Sequence, residues 1–66
     1  MTTTEKAAQI LGDGQEITLF EVYGKDSGYR AQICGDCYLE SKSHKTVDDA
    51  LLDVMEQYNA WFDSLQ

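Results

Sequence analysis

The segment TVDDALLDVMEQYNAWFDSL, residues 46–65, decides the fold. Val47, Ala50, Leu51, Val54, Tyr58, Trp61, Phe62 and Leu65 recur in it at steps of three and four, the spacing of one face of an α-helix. Thr46-Val47-Asp48-Asp49 is close to a capping box: the Thr hydroxyl can accept the Asp49 backbone N–H while that carboxylate reaches back to the Thr46 amide. A helix with an apolar stripe gains most of its stability by burying the stripe, so the residues before it must supply a surface.

Working outward, Glu16 to Tyr23 is β-branched, aromatic or otherwise strand-compatible and ends at Gly24-Lys25-Asp26-Ser27-Gly28, a hairpin turn. Tyr29 to Cys34 is the return strand. A two-residue turn at Asp26-Ser27 puts Phe20 and Val22 on one face with Ala31 and Ile33, and Ile17, Leu19 and Tyr23 on the other with Arg30 and Gln32. The first set is the expected core. Gly35-Asp36 turns the chain into a third strand, Cys37 to about Ser41, whose faces do not match cleanly in a two-residue register; a one-residue bulge that sets Leu39 opposite Ile33 is the alternative, and the sequence leaves both open. At the other end, Thr3 or Thr4 caps a short helix over Glu5 to Leu11, with Ala7, Ile10 and Leu11 at helical spacing and Gly12 as its left-handed stop. The expected fold is α+β in one domain over residues 1–66. A short N-terminal helix precedes a three-stranded antiparallel sheet, and the long C-terminal helix packs on one sheet face.

The chain has 66 residues, 12 Asp and Glu against 5 Lys and Arg, and a net charge of −7. A single core at this length supplies about 3–5 kcal/mol of net stability, which leaves few residues for a deep, water-excluding active site. The 42% apolar content, with one Trp, four Tyr and two Phe, is that of a folded domain and not of an acidic tail. Phosphate contacts need clustered Lys and Arg, so direct nucleic-acid binding and adhesion to an anionic membrane are both disfavoured. A basic protein is the expected partner. With no apolar run near the roughly 18 residues of a membrane span, and MTTTEKAAQIL unlike a signal peptide, the expected location is the cytoplasm of a bacterial host.

The charge is unevenly placed. Residues 46–66 hold Asp48, Asp49, Asp53, Glu56 and Asp63 without one Lys or Arg, whereas residues 1–46 hold seven acids and all five bases, so −5 of the −7 belongs to the final helix. Asp49, Asp53, Glu56 and Asp63 follow each other by four, three and seven residues, which aligns them along one face away from the apolar stripe. Like charges at that spacing cost a few tenths of a kcal/mol per pair, and Asp63 stands near the end of the helix where the macrodipole disfavours an anion. Such a stripe serves either as a solvated face or as a mimic of a nucleic-acid backbone. Carboxylates one turn apart lie about 6 Å from each other, comparable with phosphates along a strand. A mimic would occupy the Lys and Arg groove of a nucleic-acid-binding machine. Glu16, Glu21 and Glu40 widen the patch if they face the same way.

Other constellations are thinner. Cys34-Gly35-Asp36-Cys37 is a C-x-x-C, with His44 seven residues later. A structural zinc needs four ligands, so Asp36 or a second chain would have to contribute. A redox pair normally opens a helix, whereas this one flanks a β-turn. The plain reading is two thiols brought together by a tight turn, with no cofactor and no enzymatic activity. His44 lies in the polar stretch Ser41-Lys42-Ser43-His44-Lys45, expected to be an exposed loop. Ile17 and Leu19, on the sheet face opposite the predicted core, offer an apolar strip to a partner or to a second copy forming a homodimer.

Gly28-Tyr29-Arg30-Ala31, a turn with Cys37, and Thr46-Val47-Asp48-Asp49-Ala50-Leu51 leading into Tyr58-Asn59-Ala60-Trp61-Phe62 resemble the small HicB-type antitoxin domain over about 40 residues. In this chain Lys45 stands where a glycine usually precedes the threonine, and the leading helix is additional. The resemblance implies an acidic protein that neutralises a basic RNA-cleaving toxin. In size and charge the chain is also similar to phage-encoded anti-CRISPR and anti-restriction inhibitors. Both comparisons imply occupation of a basic surface by carboxylates. The expected function is that of a non-enzymatic inhibitor, with an HicB-like antitoxin and a small zinc or redox module built on Cys34 and Cys37 as the alternatives.

Overall fold

A computed structural model of the chain describes residues 2–65. In chain order it contains helix α1 (Thr3–Gly12), strands β1 (Glu16–Val22), β2 (Gly28–Cys34) and β3 (Tyr38–Glu40), and helix α2 (Val47–Asp63). The three strands form an antiparallel meander in the order β1-β2-β3. α2 lies across β2 and β3, and α1 fills the corner between α2 and β1. This is the α+β arrangement expected from the periodicities.

α2 begins where the capping chemistry puts it. Thr46 is extended and its hydroxyl accepts the Asp49 amide at 3.1 Å. Its buried residues are Ala50, Val54, Met55 and Tyr58, with Leu51 and Trp61 packed partly against them. Met55 is 1% exposed although it lay outside the expected stripe, whereas Phe62 and Leu65 are 43% and 63% exposed. The stripe is thus widened toward Met55 and thins out in its last turn, where Trp61 and Phe62 pack beside the Tyr58 ring and stay partly open to solvent. α1 is capped by Thr2 and not by Thr3 or Thr4, its hydroxyl accepting the Glu5 amide at 3.1 Å. Gly12 is still helical. The left-handed residue is Gly14, at φ +88°.

The β1–β2 register corrects the expected faces. Ile17 pairs with Ile33, Leu19 with Ala31, Phe20 with Arg30 and Val22 with Gly28. Residues 23–27 form the connection, in which the Ser27 amide bonds the Gly24 carbonyl, and pairing starts only at Gly28. Relative to a two-residue turn, β1 is displaced by three positions, an odd number, so every β1 side chain changes face. Ile17 and Leu19 therefore lie on the helix-covered side with Ala31 and Ile33, which are both fully buried. Phe20 and Val22 project from the open face with Arg30 and Gln32. The apolar strip assigned to Ile17 and Leu19 on an uncovered face is not there.

β3 follows a three-residue connection, Gly35 to Cys37, which sets Leu39 opposite Ile33 and so decides between the two registers. Two buried polar side chains hold this end together. Gln15, 4% exposed, donates to the Asp36 carboxylate at 3.0 Å and accepts the Asp36 amide at 2.9 Å. Ser41, 1% exposed, accepts the Ala31 amide at 2.8 Å and donates to the Lys42 carbonyl. Among the described residues no buried side-chain polar atom lacks a partner, as the cost of an unmade bond in a small core demands.

Candidate functional site: the acidic face of the second helix

The α2 side opposite Ala50, Val54 and Tyr58 carries the acids. Asp49, Glu56 and Asp63 are exposed there, Asp48 is exposed on the Met55 flank of the first turn, and none of the four takes part in an ion pair among the described residues. Asp48 and Asp49 also occupy the first turn, where the helix dipole favours them. No basic residue lies in the last turn to offset Asp63.

Asp53 sits on the same stripe and behaves differently. Its Oδ2 accepts from the Lys42 amide at 3.0 Å and stands 2.8 Å from His44 Nε2, while its Oδ1 accepts from Gln57 at 3.0 Å. Burial pushes this carboxyl up, but the hydrogen bonds from His44, Gln57 and the Lys42 amide, together with the His44 charge, outweigh it. The net position is below the ordinary aspartate range. Asp53 is therefore committed to the fold, through partners that come from outside its own stripe.

The cause lies in β3. Ala31 and Ser41 are bonded partners, yet Tyr29 pairs with His44, so two steps on β2 answer to three on the other strand. The extra residue is a bulge at Lys42–Ser43 that turns the Lys42 amide out of the ladder and toward Asp53. His44 is thus not a free loop residue. Its backbone donates to and accepts from Tyr29, at 2.8 and 2.6 Å, and its ring is half-buried against Asp53. Gly28 makes room for this return, since a Cβ there would run into the His44 carbonyl. His44, Asp49, Leu52, Asp53 and Glu56 line a shallow groove of about 320 Å³.

The remaining acids do not join this face. Glu40 and Glu16 project from the open side of the sheet, away from α2. Glu40 is further occupied by an ion pair with Arg30 and accepts from the Tyr38 hydroxyl at 3.0 Å. Glu21 is exposed on the helix side near the hairpin. Nothing in the linear spacing distinguishes Asp53 from Asp49 or Glu56. The partial signal was the polar run 41–45 with its single histidine, whose return to the sheet only the bulge determines.

Cys34 and Cys37 are free thiols on either side of the turn, Cys34 exposed and Cys37 half-buried. Burial, then the neighbouring Asp36 and Cys34, push the Cys37 thiol above its ordinary value, the opposite of a reactive thiolate. The Asp36 carboxylate is taken by Gln15 and the His44 ring by Asp53. Among the described residues no three His, Cys, Asp or Glu side chains gather as a metal site. No described helix is long and apolar enough to cross a membrane. Comparison with protein-family models, curated proteins and solved structures found no match to the chain.

Proposed function

We propose that the protein is a non-enzymatic acidic inhibitor whose α2 face occupies a basic, nucleic-acid-binding surface of a host defence complex. One observation carries this reading: a capped, 17-residue helix presents Asp49, Glu56 and Asp63 to solvent, with Asp48 beside them and no Lys or Arg along its length. Like charges left unpaired on one face destabilise a helix, and a basic partner supplies the missing counter-charges. Asp53 has a positioning role in this scheme: it ties the face to the His44 segment. The chemistry asked of the partner is a groove of Lys and Arg, and association should be fast and strongly salt-sensitive.

The test is capture from a lysate of the native host on immobilised protein, followed by identification of what is bound. Asp49→Lys with Glu56→Lys leaves the fold intact and should weaken the captured complex at least tenfold, with raised salt acting in the same direction. Unchanged binding at physiological salt would sink the proposal. Loss of binding on altering Leu19 instead would favour the antitoxin reading, in which shape and apolar contact dominate.

A further inference from the structure

β1 is the long free edge of the sheet, and the ladder shows which of its backbone groups face outward. Tyr29 bonds His44 through both its N–H and its C=O. Ala31 likewise spends both groups on Ser41, its N–H on the hydroxyl and its C=O on the amide. Residues along an antiparallel strand alternate in direction, so Tyr29 and Ala31 have no backbone bond to spare for β1. Their β1 partners are Glu21 and Leu19, and Ile17 opposite Ile33 continues the alternation. The N–H and C=O groups of Ile17, Leu19 and Glu21 therefore point away from β2, to a side where no strand lies among the described residues.

Proteins ordinarily blunt such an edge with lysine, proline or a bulge. β1 has none of these, and its only charged residues, Glu16 and Glu21, stand toward its two ends. It contains no Lys or Pro, it pairs with β2 without a break from Glu16 to Val22, and Leu19 is 46% exposed at its midpoint. We propose that the edge pairs antiparallel with the β1 edge of a second copy of the chain, about a two-fold axis at Leu19. The proposal is independent of the acidic face of α2.

The strand sequence selects this register. An axis at Leu19 sets Glu16 against Val22, Ile17 against Glu21 and Thr18 against Phe20, so no carboxylate faces another. The outward groups of Ile17, Leu19 and Glu21 then meet in about six backbone hydrogen bonds. An axis at Glu21 would place two carboxylates opposite each other, which is destabilising. An axis at Ile17 would pair only Glu16 to Thr18, and axes at Thr18 or Phe20, which also keep the carboxylates apart, join only two outward-facing pairs and so about four bonds. The two Leu19 side chains come together on the helix-covered side of the joined sheet, which accounts for an apolar residue left half-exposed there. One strand a side is small beside the roughly 20–30 residues a side of a standard interface, so the dimer is weak, with a dissociation constant on the order of 100 µM.

Sedimentation velocity under reducing conditions tests this, at about 5 µM, where a monomer is expected, and at about 500 µM, where the dimer should predominate. Leu19→Lys, at a half-exposed position, sets two ammonium groups on the axis and should abolish the dimer with the far-ultraviolet spectrum unchanged. Leu19→Pro removes an outward N–H that β2 does not use and should do the same. Leu52→Lys, on α2, should leave association as in the wild type. Amide exchange at Ile17, Leu19 and Glu21 should slow at the higher concentration. A dimer that survives both Leu19 variants, or one lost with Leu52→Lys, overturns the proposal. A wild-type chain still monomeric at about 500 µM also overturns it, and would leave the edge to a strand from a different protein.

Discussion

Asp53 and Gly28 are the residues whose surroundings most change what their side chains mean. Asp53 satisfies an amide that the β3 bulge has pulled out of the ladder, and it holds His44 and Gln57 as well. Because its folded pKa is depressed, its contribution to stability is complete above its unfolded pKa and is lost as pH falls through the folded value. Urea denaturation between about pH 2 and 7 should therefore show an acid limb that Asp53→Asn flattens. At neutral pH the same variant should lose about 1–3 kcal/mol. An acid limb identical in the two proteins would contradict this role. At Gly28, φ is +153° and a Cβ would meet both the His44 carbonyl and Ser43 Oγ, whereas Gly24, at φ +101°, has nothing within 4 Å. Gly28→Ala should cost about 2–3 kcal/mol and Gly24→Ala about 1 kcal/mol, both measurable as shifts in the urea midpoint. The stripe of acids was legible from their spacing. The withdrawal of Asp53 from it was not, since its partners come from residues 42 and 44, which reach it only after the bulge.

Among the elements, α2 was readable nearly to the residue because its cap and its period are both local properties of the chain. Thr46→Ala should lower stability by about 1 kcal/mol and speed exchange of the Asp49 amide, while Thr46→Ser should change little. The sheet was readable in strand number and order but not in face. Any strand offers two sets of alternate side chains, and a turn of unknown length decides which set meets the helix. Here five connecting residues stand where two were expected, so Phe20 and Val22 exchange places with Ile17 and Leu19. For β3 two registers were open, and the three-residue connection takes the one that puts Leu39, its only aliphatic residue, against Ile33.

The molecule measures 39 × 21 × 16 Å, too thin to enclose much: two layers in which, among the described residues, seven apolar side chains are buried in the core. A net charge of −7 on so small a body is self-repelling. Screening should help the folded state, and the melting temperature should rise by a few degrees between about 10 mM and about 500 mM NaCl. A fall over that range would mean that the Arg30–Glu40 pair and the helix-terminal charges outweigh the repulsion. The helices, the number of strands, the cap at Thr46 and the concentration of acid on α2 follow from the order of residues alone, because each is a matter of local spacing and hydrogen-bonding chemistry. Which face of β1 is buried, which carboxylates are free and which strand edge is open come only from the packed molecule. These depend on loop closure and on a single inserted residue, whose effects appear only where distant parts of the chain meet.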